Sequence, residues 1–138
     1  MKNYALPSFF LLVLAAGATL ACGTSSSPRL LQSVTVSPAT ADALNYPNGQ
    51  VQFTATGFYS REPSPVTPLS GTWGACYQGA STAGVTVNQN GVAQCAAGAA
   101  GVYTVFAEDY PYQGGGCLAT TACGGGCWVA GTAQLTCP

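Results

Sequence analysis

The chain has 138 residues, 48% of them apolar and only 5% charged, with a formal net charge of −1. A soluble domain usually carries about 25% charged residues, so solubility here rests on Ser, Thr, Asn, Gln and Gly. Three cations provide no patch to neutralise phosphates or anionic headgroups, which argues against nucleic acid as a partner, and the absence of histidine removes Ser-His-Asp and Cys-His catalysis and every His-ligated zinc site.

Residues 1–21 read as an export signal. Lys2 is its short positive region, and an apolar run from about Phe9 to Leu20 follows, broken only by small residues. A bilayer core needs about 20 apolar residues, so this run is too short to span and its flank favours processing. An ordinary signal cut elsewhere, leaving Cys22 incidental, is the alternative. Ala18-Thr19-Leu20-Ala21-Cys22 resembles the lipobox of bacterial lipoproteins, with Thr19 standing where Leu is more typical. In that family the Cys thiol receives a diacylglyceryl group, a peptidase cuts before it, and the new amine is acylated. The resemblance implies that Cys22 is the lipidation site and holds the protein to a membrane face. Gly23, rather than Asp, follows the Cys, which within the resemblance implies the outer membrane or cell surface. Gly23 to Pro28 is small and polar, and residues 22–30 read as a flexible tether. Beyond the signal, Arg29 and Arg61 face Asp42, Glu62, Glu108 and Asp109.

From Leu31 the pattern has period two. Val34 and Val36 alternate with Ser33, Thr35 and Ser37, a half-buried strand that Pro38 ends. Asn48-Gly49 marks a turn, after which Val51, Phe53 and Ala55 alternate with Gln52, Thr54 and Thr56 in a second strand towards Tyr59. Three prolines between Glu62 and Pro68 make that segment a loop or sheet edge. Gly71 to Cys76 presents Trp73 to a core. Val85 and Val87 lead into Asn90-Gly91 and Val92 to Ala96 lead out, a hairpin in which Asn-Gly supplies the positive φ angles. Gly98 to Gly101 is a further turn, Val102 to Ala107 a β-branched and aromatic strand, and Trp128 to Cys137 the closing strand. No stretch after residue 22 has a 3.6-residue period, and short strands about ten residues apart are the pattern of an all-β sandwich.

Five segments resemble, in order, the bacterial immunoglobulin-like domains of group 2. Leu31-Gln32-Ser33-Val34-Thr35-Val36-Ser37-Pro38 looks like their opening strand, and Gln52-Phe53-Thr54-Ala55-Thr56-Gly57-Phe58-Tyr59-Ser60 like the second. Trp73 sits where the family places its core tryptophan. Gly84 to Val87, through Asn90-Gly91-Val92, to Gly101-Val102-Tyr103-Thr104-Val105 is similar to the hairpin and the strand after it, and Gly131 to Thr136 to the last strand. The likeness covers most of residues 31–136. It implies an immunoglobulin-like β-sandwich over residues 31–138 and a role at the cell surface. Two departures stand out: an insertion, Asp109–Cys127, before the last strand, and cysteines that typical members lack. Two facing sheets would bury Val34, Val36, Phe53, Trp73, Val87, Val105 and Leu135. Tyr103 has two readings, a tyrosine corner with its hydroxyl on nearby backbone or a plain strand aromatic.

Besides Cys22, the cysteines are Cys76, Cys95, Cys117, Cys123, Cys127 and Cys137, an even number in an exported chain and enough for three disulfides. Fifteen connectivities are open. The pairing expected is Cys76 with Cys95, worth about 3 kcal/mol for a loop of about twenty residues, with the other four tying the insertion to the last strand. A zinc site on Cys117-x5-Cys123-x3-Cys127-x9-Cys137 lacks the paired short spacings of zinc ribbons, and a P-loop needs a Lys that is absent beyond Lys2, so no metal and no cofactor are expected.

Glu108 and Asp109, adjacent at a strand end, are either a hard-cation site or, as preferred, a solvated strand end whose side chains face opposite ways. Tyr110, Tyr112 and Trp128 flank the insertion and either form a candidate binding loop or pack over an open sandwich end. Four carboxylates in no hydrolase frame argue against an enzyme. The function expected is a membrane-anchored, non-catalytic adhesion, interaction or spacer module of the cell envelope, its partner an envelope protein or polysaccharide. The alternative is a glycan-binding module that uses the aromatics of the 109–128 loop.

Overall fold

The computed structural model describes residues 27–110, 123 and 128–138. The proposed signal, Cys22, Tyr112, Cys117 and Cys127 lie outside the described residues. Ten strands form in chain order: β1 (Leu31–Ser37), β2 (Thr40–Asp42), β3 (Gln50–Gln52), β4 (Thr54–Tyr59), β5 (Thr72–Tyr77), β6 (Ala80–Ser81), β7 (Val85–Val87), β8 (Val92–Cys95), β9 (Gly101–Asp109) and β10 (Val129–Cys137). Two short 3-10 turns, Ala43–Asn45 and Pro47–Gly49, lie between β2 and β3, and no α-helix occurs among the described residues.

The strands make an all-β sandwich. β3 and β4 are one run interrupted at Phe53. β4 pairs with β1 and β3 with β8, which pairs in turn with β7, giving one layer in the order β1, β4/β3, β8, β7. The other layer runs β2, β10, β9, β5, β6, with β2 parallel to β10 and the remaining pairs antiparallel. The β1–β2 segment thus contributes to both layers. Val34, Val36, Val51, Phe53 and Ala55 from the first layer pack against Tyr103, Val105, Ala107, Ala133 and Leu135 from the second. Burying each such Val, Leu or Phe side chain contributes roughly 1.5–3 kcal/mol, so these alternating positions hold the layers together.

The period-two reading of β1 holds from Val34 onward. A register shift between Leu31 and Ser33 brings Leu31 to the buried side as well. Two of the side chains expected in the core, Trp73 and Val87, are only partly buried at its margin. The Pro-rich segment lies against the edge of β4, where Val66 and Gly57 exchange backbone hydrogen bonds of 2.9 and 3.0 Å.

The hairpin forms where Asn90-Gly91 places it, but only Gly91 has positive φ (+78°). The Gly91 N–H donates to the Asn88 carbonyl at 3.0 Å, a turn over Asn88 to Gly91 whose last residue is left-handed, so glycine is needed at one position rather than two. Asn88 Oδ1 completes the turn by accepting from the N–H of Asn90 (2.9 Å) and Val92 (3.0 Å).

The disulfides differ from the expected pairing. Cys76 bonds Cys123 and Cys95 bonds Cys137, with Cα separations of 5.7 and 5.9 Å. Cys76 sits on β5 one residue beyond Ala75, which packs against the core, so its side chain leaves the outer face of its layer. Cys95 ends β8 in the opposite layer and meets Cys137, the last residue of β10. A Cys76–Cys95 bond would have to pass through a sheet. The insertion is therefore tied to β5 by Cys123, while Cys95–Cys137 joins the two layers to each other.

Candidate functional site

A cleft of about 1070 Å³ opens at the end of the sandwich where β5 begins and β9 ends. Its walls are the tip of the β7–β8 hairpin, the last residues of the β4–β5 connection, and the chain on either side of the insertion. Strand alternation explains its aromatic lining. Trp73 lies opposite Ala107 on the core side of β5, too near the open end to be enclosed. Its indole covers the hairpin tip instead: a Cβ built on Gly91 would lie 2.9 Å from Trp73 Cζ2 and would also strike the Phe53 carbonyl. Any side chain at residue 91 would thus push the hairpin off Trp73, quite apart from the positive φ.

Tyr110 follows β9 and Trp128 precedes β10, strands paired through Asp109 and Val129. The pairing carries the two rings together, with centroids 3.5 Å apart and planes inclined by 33°. Trp73, Tyr110 and Trp128 all line the cleft. Polar groups surround them. Gln52 Nε2 donates to the carbonyls of Phe53 and Asn90, both at 2.7 Å, and so ties the hairpin tip to β3. The side chains of Gln89 and Asn90 have no hydrogen-bond partner among the described residues and stand at the cleft wall. Asp109 is half-buried at the opposite wall, with Oδ1 accepting from the Tyr110 N–H at 2.8 Å. Among the described residues no Lys or Arg lines the cleft.

The chain matches no protein-family model, and no curated protein matches it.

Of the expected binding aromatics, Tyr110 and Trp128 come together and Tyr112 lies outside the described residues. Sequence reasoning missed Trp73 as a cleft wall, and Gln52, Gln89, Asn90 and Asp109 as its polar neighbours. The signal for Gln89 and Asn90 was their place at a hairpin tip, where loop side chains are held by a rigid scaffold and free to meet a ligand.

Glu108 and Asp109 do face opposite ways, but Glu108 is no solvated strand end. It is 6% exposed, on the outer face of the five-stranded layer beside Phe106, and both lie outside the core cluster. Glu108 Oε2 has no hydrogen-bond partner among the described residues, and burial raises the carboxyl pKa above its ordinary value. Among the described residues no three His, Cys, Asp or Glu side chains converge as a metal site. The Tyr103 ring packs on Gly84 and on Tyr77, at a centroid distance of 4.9 Å, and its hydroxyl donates to no backbone carbonyl among the described residues. Of its two readings, strand aromatic is the one this geometry supports.

Arg29 is engaged elsewhere. It stacks its guanidinium 3.4 Å over the Tyr59 ring and donates to the carbonyls of Arg61 (3.1 Å) and Pro63. Together with the reciprocal bonds between Leu30 and Ser60, these contacts pin the start of the domain to the β4–β5 connection.

Proposed function

We propose that this chain is a lipid-anchored, non-catalytic interaction module of the bacterial cell envelope, built as an immunoglobulin-like sandwich of the group 2 kind. The observation that carries the reading is the cleft. Trp73 at the start of β5 and Tyr110 and Trp128 beside the insertion converge there among amides and hydroxyls, at one end of a rigid double layer, which is how a binding surface is built. The layer orders β1-β4/β3-β8-β7 and β2-β10-β9-β5-β6 correspond to A-B-E-D and A′-G-F-C-C′ of an immunoglobulin-like fold and support that part of the proposal. Two disulfides are in keeping with an oxidising compartment outside the cytoplasm. The lipobox-like Ala18 to Cys22 supports the anchor.

The test is crosslinking in intact cells, followed by capture of the tagged protein and analysis of the bound material for protein, peptidoglycan and polysaccharide. One enriched partner, lost on Trp128→Ala, is the expected result. Enrichment no greater than that of a tether-only control would remove the interaction role and leave a spacer. Cys22→Ser should abolish incorporation of labelled fatty acid, and retained label would overturn the anchor.

A further inference from the structure

We infer that the loop-end cleft binds a neutral glycan made of gluco-configured pyranose units, one ring of which lies on the Tyr110–Trp128 pair. The inference rests on the cleft being the binding surface proposed above and assigns its ligand class. Four observations lead to it.

The first is the platform. Tyr110 and Trp128 stack one over the other at the cleft wall, each bracing its partner and leaving an outer ring face, and Tyr110 remains 42% exposed. The face of an aromatic ring is the negative pole of its quadrupole and attracts weakly positive C–H groups. A pyranose whose hydroxyls are all equatorial presents axial C–H groups on both faces. An axial hydroxyl, as in manno- or galacto-configured rings, interrupts one of them. The platform therefore favours the gluco configuration.

The second is the polar fringe. Equatorial hydroxyls project from the edge of the sugar ring and each both donates and accepts. The amides of Gln89 and Asn90 offer donors and acceptors from one wall, and the half-buried Asp109 carboxylate offers acceptors from the other. A hydrophobic protein anchor would leave these groups unpaired as it excluded water, which is costly.

The third is charge. Asp109 is in the lining and no Lys or Arg among the described residues is, while Arg29 is held on Tyr59 and backbone carbonyls. A uronate or sulfated chain would meet a carboxylate with nothing to neutralise it.

The fourth is size. About 1070 Å³ lies just above the roughly 300–1,000 Å³ typical of small-molecule sites, which suits an oligosaccharide segment rather than a single sugar.

The test uses the full chain, purified with its disulfides intact in a detergent that carries no sugar headgroup. Cellohexaose is titrated by tryptophan emission and by calorimetry, with mannohexaose and hexagalacturonate as comparators. Saturable binding of cellohexaose is expected, with mannohexaose about ten-fold weaker and hexagalacturonate silent. Trp128→Ala should weaken cellohexaose binding about ten-fold with the circular dichroism spectrum unchanged. Should that variant fail to fold, Tyr110→Ala decides, since its exposed ring is removed without opening the core. No saturable response to cellohexaose, binding of hexagalacturonate equal to it, or undiminished binding by a folded Tyr110→Ala or Trp128→Ala variant would each overturn the inference. If cellohexaose fails while the crosslinked envelope partner is still lost on Trp128→Ala, the glycan falls and the interaction module stands.

Discussion

Glu108 is the residue whose environment departs most from what its chemistry prefers. Burial disfavours its charged form and raises its pKa in the folded protein, and Oε2 has no hydrogen-bond partner among the described residues. Below the unfolded-state pKa both states carry the neutral acid, and the folded site holds it at no electrostatic cost. As pH rises through the raised folded value, the site has to accommodate a desolvated carboxylate and stability falls. Glu108→Gln, neutral at every pH and of the same shape, should therefore raise stability at neutral pH by about 1 kcal/mol, or about 4 °C in Tm, and have little effect in acid. Thermal melts from acid to neutral pH check this, and a variant less stable than the parent at pH 7 would mean that Oε2 has a partner. The burial of Glu108 was not legible in the sequence. Strand alternation correctly turned it away from Asp109, but nothing in the local pattern says that the outer face of β9 is covered beside Phe106. Trp73 misled in the opposite way: a large apolar residue on a core-facing strand position reads as core, and only the distance to the end of the sheet decides that it lines a cleft.

Among the elements, what local chemistry dictates was legible and what depends on the path of the chain between layers was not. β1 and β4 were readable from alternation, β9 from its β-branched and aromatic residues, β10 from the strand-like context of Val129, Leu135 and Thr136, and the β7–β8 hairpin from Asn90-Gly91, because a half-buried strand and a tight turn are specified by their own residues. β2 and β6, of three and two residues, escaped because so short a run has no period. Disulfide partners escaped for a related reason. Cys76 and Cys95 are near in sequence, but the layers separate them and one residue of strand alternation turns Cys76 outward. The Cys95–Cys137 bond spans 42 residues and fastens the end of the sandwich remote from the cleft. Closing a loop of that size is worth about 4 kcal/mol in the chain-entropy model, a large share of a stability of about 5–15 kcal/mol. The double variant Cys95→Ala, Cys137→Ala should lose about that much in denaturant unfolding while a ligand at the cleft still binds under native conditions. A loss well under 1 kcal/mol would show that the unfolded chain is already constrained there.

For the whole molecule, the direction in which the cleft faces follows from where the chain enters. Arg29 and Leu30 are held against Ser60, Arg61 and Pro63, and the same β4–β5 connection ends in the Pro68 to Gly71 wall of the cleft. Tether and cleft thus share one end. The turn between β8 and β9 lies at the other, because Gly101 pairs with Cys137 while Asp109 pairs with Val129, and nine residues of β10 separate the ends by about 27 Å. From Cys22 to Arg29 the chain takes seven steps, about 25 Å fully extended. If Cys22 carries the lipid, Arg29 stays within that reach of the membrane, the cleft lies at the membrane-proximal end of the sandwich and the β8–β9 turn at the distal end, which favours a ligand close to the anchoring surface. Single cysteines at exposed positions can read this orientation without any ligand. In lipid vesicles bearing the full chain, Ala97→Cys at the β8–β9 turn should react several-fold faster with a bulky maleimide polymer than Gln89→Cys at the cleft. In the Cys22→Ser form, free of the membrane, the two rates should converge. Equal rates on the vesicles would mean that the tether lets the domain tumble freely, and the cleft would then be open to polymers arriving from solution as well.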